Sequence, residues 1–282
     1  MKKLLILLIL LLIALVSTAH GQSKVYVGGT NGITSLLDSE NSDTYRKNGG
    51  GLFIHNSGWS TLDEQQRVDL LQIFKDGPIA IELGYNKSNP TAWVVKLRDT
   101  YIKHGVKPHF IICDVFANNN IPTQLEWKDL HTQMQEISPK SLILPTFEYA
   151  NFGKNRATLA KHLVSRDKRF KQIIKQSKGM AIDVPPNVYL TSTDSYRAWI
   201  IDAIKYANKA NYLSVLIISP HDSRDDFKKH TDLLFKDLRK HNVNAKVVVV
   251  ENYTNHGNKI GNEDNVNSVL GVASYITRKQ KK

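Results

Sequence analysis

The chain has 282 residues, 41% of them hydrophobic, and a single cysteine, Cys113. One cysteine excludes an intramolecular disulfide, so the fold rests on a sizeable buried core rather than on covalent staples. The 38 Lys and Arg outnumber the 26 Asp and Glu, for a net charge of +12. These lysines are spread along segments such as 168–178 and 228–240 without a compact basic arm or recognition motif, which argues against a nucleic-acid partner.

The N-terminus has the three parts of an export signal. Lys2 and Lys3 supply positive charge, and Leu4 to Val16 is an unbroken apolar run. That run is shorter than the roughly 20 residues a membrane helix needs. Ser17-Thr18-Ala19 places small residues where a signal peptidase cuts, and Ala19 with Gly21 offers a second cut. We expect residues 1–21 to be a cleaved signal and 22–282 to be one domain, secreted or periplasmic, monomeric, with no membrane span after cleavage. Loss of Lys2 and Lys3 leaves 36 basic residues against 26 acidic ones, a charge of +10. Such a surface leaves open an anionic glycan as partner.

Short apolar, β-branched runs then alternate with longer helical stretches. The runs are Lys24–Val27, Gly51–His55, Pro78–Leu83, His109–Val115, Ser141–Phe147, Met180–Val184, Leu213–Ser219 and Lys246–Val250. They are continuous rather than alternating, as expected of strands covered on both faces. Cys113 falls inside one of them and reads as a small packing residue.

The intervening segments carry helix signals. Residues 28–50, rich in Gly, Asn and Ser, predict a short or irregular helix. Thr61-Leu62-Asp63-Glu64 reads as a capping box, and Asp76-Gly77-Pro78 as a stop. Asn89-Pro90 opens a helix carrying Trp93, Val94, Leu97 and Tyr101, closed by His104-Gly105. Thr193-Asp194, Ser223 to Asp226 and Asn262-Glu263-Asp264 open three more. From the second run on, the repeat matches a βαβ unit, and right-handed crossovers repeated eight times close into a (β/α)8 TIM-like barrel. An open doubly wound parallel sheet is the rival. The lack of a Gly-x-Gly-x-x-Gly or Walker loop favours the barrel and implies no nucleotide cofactor.

In such a barrel, chemistry sits at the C-terminal strand ends. The ends present His55 and Trp59; Glu82 and Tyr85; Asp114; Glu148; Asp183; His221; and Glu251 with Tyr253. Charges have no place inside a strand buried on both faces, because desolvating them is costly. Gathered at one mouth, carboxylates and amides can hold hydroxyls while Trp59 and Tyr85 stack on sugar rings. Asn252-Tyr253-Thr254 is also a glycosylation sequon.

Glu148 and Glu251 lie three strands apart. In this the chain resembles the TIM-barrel glycoside hydrolases of the large retaining clan, which carry an acid/base glutamate after one strand and a nucleophilic glutamate three strands later. The resemblance implies that Glu148, in Pro145-Thr146-Phe147-Glu148-Tyr149, is the acid/base. It implies that Glu251, in Val250-Glu251-Asn252-Tyr253, is the nucleophile. His55, Trp59, Glu82, Tyr85, Asp114, Asp183, His221 and Tyr253 then bind substrate, with no metal and no cofactor. Two other functions fit the same residues: a metal-dependent hydrolase or deacetylase using His55, Asp114, Asp183 and His221, and a non-catalytic carbohydrate-binding barrel.

Overall fold

The structure, a computed structural model, describes residues 23–30, 32–84, 91–114, 124–148, 168–220, 226–252 and 260–279, with the backbone alone at 124, 148 and 168–170. Eight parallel strands close into a barrel in sequence order. They are β1 (Lys24–Gly29), β2 (Gly51–His55), β3 (Ile79–Leu83), β4 (Phe110–Cys113), β5 (Leu142–Glu148), β6 (Gly179–Asp183), β7 (Leu213–Ile218) and β8 (Val247–Asn252). Each corresponds to one of the apolar runs. The closing pair decides between barrel and open sheet: Lys24 to Gly29 are in register with Val247 to Asn252 along the whole of β1. An open sheet would leave both strands as unpaired edges.

The helices surround this ring: α1 (Asp43–Lys47), α2 (Asn56–Ser60), α3 (Glu64–Ile73), α4 (Thr91–Lys96), α5 (Gln124–Ile137), α6 (Lys168–Ser177), α7 (Pro186–Thr191), α8 (Asp194–Lys209), α9 (Phe227–Lys240) and α10 (Val269–Lys279). The first unit is irregular as expected, with 3-10 turns at Ile33–Leu37 and Ser39–Ser42 before the five-residue α1. After α4, a π-turn over Leu97–Tyr101 keeps Leu97 and Tyr101 on the buried side. Gly105, at φ 83°, ends the segment in the left-handed conformation that glycine adopts without a Cβ clash.

Two helix starts differ from expectation. The capping box of α3 is formed by Asp63 and Gln66, not Thr61 and Glu64. Asp63 accepts from the Gln66 N–H at 2.8 Å, and Gln66 accepts from the Asp63 N–H at 3.0 Å. Thr61 is occupied closing α2, its hydroxyl donating to Gly58 O at 2.7 Å. Residues 263–268 form turns, so α10 begins at Val269 and not at Asn262. The Glu263 carboxylate instead accepts the Thr44 and Tyr45 N–H groups, at 3.0 and 2.8 Å, in the first turn of α1. A carboxylate there satisfies donors that no helical carbonyl can reach.

Alternation along each strand builds two cores. Tyr26, Phe53, Ala80, Phe110, Ile112, Leu144, Ala181, Val215, Ile217, Val247 and Val249 fill the barrel lumen. Their neighbours in sequence, such as Val27, Ile54, Ile81, Cys113 and Val250, pack outward against the helices. Cys113 is fully buried there, with Sγ 3.8 Å from Met134 Sδ, and burial pushes its thiol pKa up. At the base, the fully buried Tyr45 hydroxyl lies 2.8 Å from both Val25 O and Gly51 O, clasping β1 to β2. Among the described residues no helix is long and apolar enough to cross a membrane.

Candidate active site

Followed toward the C-terminal ends, the inward-facing positions change chemistry within two residues. Phe53 is followed by His55, Ala80 by Glu82, Ile112 by Asp114, Leu144 by Thr146, Ala181 by Asp183, Ile217 by Ser219 and Val249 by Glu251. Strand geometry makes this a layer: residues two apart face the same side. Glu251 is 2% exposed, Glu82 and Asp114 8% each and His55 9%, with Asp183 half-buried. Burying carboxylates at the C-terminal end of the barrel costs hydration, which must be offset by their partners. Such placement marks the C-terminal mouth as the candidate site.

Register places these groups in pairs. His55 is the Cα partner of Glu82, and Glu148 that of Asp183. Glu251 is beside Gly28, so β1 contributes no side chain next to it. A Cβ at Gly28 would lie 1.7 Å from Phe53 O, which restricts the position to glycine.

His55 is the most fully specified member. Its Nδ1 accepts the Ser57 N–H at 3.1 Å, capping α2. In the neutral ring the proton is then on Nε2. That atom is 3.9 Å from Glu82 Oε2, too far for a hydrogen bond. Burial, and then the positive charge of Lys96, push the His55 pKa down to about 4, so the ring is neutral near pH 7. Lys96, half-buried on α4, has its own pKa lowered by burial.

Trp59 does not stand at the mouth. It is fully buried between barrel and helices, its indole N–H donating to Thr100 O at 3.0 Å and its ring 6.2 Å from that of Tyr101. The turn after β2 is helical and carries Trp59 back over the outer core, which rules out stacking on a sugar. Asn252 is likewise fully buried, its carbonyl accepting from the Thr30 N–H and hydroxyl. Its sequon is thus closed to glycan attachment in the folded chain. Tyr85, His221 and Tyr253, and the side chain of Glu148, lie outside the described residues.

The layer also includes a residue that the strand ends alone did not reveal. Thr146 is fully buried and inward-facing, with no hydrogen-bond partner for its hydroxyl among the described residues. It could have been found by counting two back from Glu148. Outside the layer, Lys96, the last residue of α4, acts on His55 through its charge, and no local signal marks it. Among the described residues no three His, Cys, Asp or Glu side chains are grouped to hold a metal ion.

No protein-family model matches this chain, and no curated protein matches it. Solved structures do. KGPDC from Streptococcus mutans has a TM-score of 0.51 at 11% identity, covering 92% of this chain and 98% of that one. A second structure of the same protein, in a ligand complex, gives 0.52 at 11%, with the same coverage. The GH99 endo-alpha-mannosidase from Bacteriodes thetaiotaomicron, in complex with BIS-TRIS-Propane, gives 0.50 at 15%, covering 88% and 85%. At these identities the likeness shows the shared barrel fold.

Proposed function

We propose that the chain is an exported glycoside hydrolase acting on a poly- or oligosaccharide, with Glu148 as acid/base and Glu251 as nucleophile. The observation that carries this reading is the set of carboxylates at the C-terminal mouth, where an apolar lumen gives way to Glu82, Asp114, Asp183 and Glu251 within two residues. Glycosidic cleavage needs two carboxyl groups flanking one bond. Glu148 donates its proton to the glycosidic oxygen as that bond breaks, and the Glu251 carboxylate bonds to the anomeric carbon. Water, deprotonated by Glu148, then displaces Glu251 and restores both groups. Glu82, Asp114 and Asp183 hold sugar hydroxyls.

The signal-like N-terminus supports an extracellular substrate. The carboxylates described at the mouth, beside a neutral His55, favour an uncharged glycan over an anionic one. Hydrolysis of neutral oligosaccharides by the purified mature chain tests the reading. Glu148→Gln and Glu251→Gln should each lower kcat by about 10²–10⁴-fold without changing the melting temperature by more than a few degrees. A variant that hydrolyses as fast as the unaltered chain overturns the assignment of that residue. Binding without hydrolysis by the unaltered chain overturns the enzymatic reading.

A further inference from the structure

The gap between His55 and Glu82 has the geometry of a site for one oxygen atom. His55 Nε2 and Glu82 Oε2 stand 3.9 Å apart at adjacent positions of β2 and β3. An oxygen placed between them can lie about 2.8 Å from each, a normal hydrogen-bond distance on both sides. The two sides differ in sense. The Nδ1 bond to Ser57 leaves His55 only a donor at Nε2, while an ionised carboxylate only accepts. The group that matches a donor and an acceptor at once is a hydroxyl: its oxygen accepts from Nε2–H and its proton goes to Glu82.

Gly84 leaves space beside this gap. Gly84 follows β3 directly over the imidazole, and a Cβ built there would meet, among the described atoms, only His55 Nε2, at 4.0 Å. His55 and Glu82 are each nearly buried, at 9% and 8% exposure, so a hydroxyl bound there exchanges few contacts with bulk water. The low His55 pKa is consistent with a ring that stays a neutral donor.

We propose that His55 and Glu82 form a hydroxyl clamp, gripping one hydroxyl of a bound saccharide that enters over Gly84. This rests on reading the mouth as a carbohydrate site. It adds that the ligand must present a free hydroxyl at that position, and that His55 binds rather than exchanging protons.

The test uses the mature chain labelled with ¹⁵N-histidine and a panel of cello-, manno-, galacto- and chito-hexaose as probes. The His55 signals are assigned by their loss in His55→Asn. Near pH 7 the ring should show a proton on Nε2 and none on Nδ1, and a binding hexaose should shift the Nε2–H resonance. His55→Asn retains an acceptor for the Ser57 N–H, because Asn is a good helix cap, but does not reach Glu82. It should melt near the unaltered chain and bind the same hexaose about 10-fold more weakly or worse. Gly84→Val should weaken binding similarly by filling the approach. A proton on Nδ1, or hexaose binding that leaves both the resonance and the His55→Asn affinity unchanged, overturns the clamp while the carbohydrate reading stands. Binding of no hexaose overturns both.

Discussion

Tyr45 offers the sharpest test of how the barrel base supports the mouth. Its hydroxyl is fully buried and lies 2.8 Å from two carbonyls, Val25 O on β1 and Gly51 O on β2. Tyr45→Phe keeps the ring, so almost no cavity opens, and removes one proton donor shared between two acceptors. A buried hydrogen bond lost this way costs about 1–2 kcal/mol. For a domain of this size each kcal/mol lowers the melting temperature by roughly 2–4 °C, which sets the expected fall at about 2–8 °C. Tyr45→Ala adds the ring cavity and should cost about 3–5 kcal/mol. Urea melts followed by tryptophan fluorescence give both values, with an unchanged m-value showing that the same surface is exposed. His55 is four residues above Gly51, about 13 Å along β2, so saccharide binding should be unaffected by Tyr45→Phe. A Tyr45→Phe variant as stable as the original, or as damaged as Tyr45→Ala, would refute the clasp.

Two further outcomes follow from burial. The folded His55 pKa of about 4 lies below its ordinary value of 6.5, so between these pH values the unfolded chain binds more protons. The stability tied to a neutral His55, about 3 kcal/mol, is fully present above pH 6.5 and is lost as the pH falls toward 4. His55→Asn should flatten that part of the stability–pH curve, and an unchanged slope would show that His55 is not the group responsible. Trp59→Phe breaks the indole bond to Thr100 O and leaves a smaller ring in the core. It should destabilise by about 1–3 kcal/mol while hexaose affinity stays within twofold; a large loss of affinity at unchanged stability would return Trp59 to the mouth.

Much of the architecture was legible because it depends on local rules. Runs such as Phe110 to Cys113 and Val247 to Val250 are apolar on both faces, which only a strand covered inside and out requires. Eight of them at βαβ spacing leave few topologies. Helix starts were less legible, because capping groups compete. Asp63 displaced Thr61, whose hydroxyl was taken by Gly58 O, and Glu263 served α1 across 219 residues. A polar residue near a helix signals a cap without saying which helix it caps.

The site divides along the same line. Chain order alone put His55, Glu82, Asp114, Asp183 and Glu251 at or beside strand ends, since a charge deep within a strand covered on both faces is costly. Tertiary structure decided which strand-end residues share one space. His55 and Trp59 are four residues apart, yet one faces the mouth and the other is sealed beneath the helices, because α2 turns the chain back over the barrel. Lys96, distant in sequence, acts on His55 through the packing of α4. Alternation and hydrophobicity are properties of neighbours along the chain, whereas the field, the fixed tautomer and the 3.9 Å gap at His55 arise only once the ring of strands has closed.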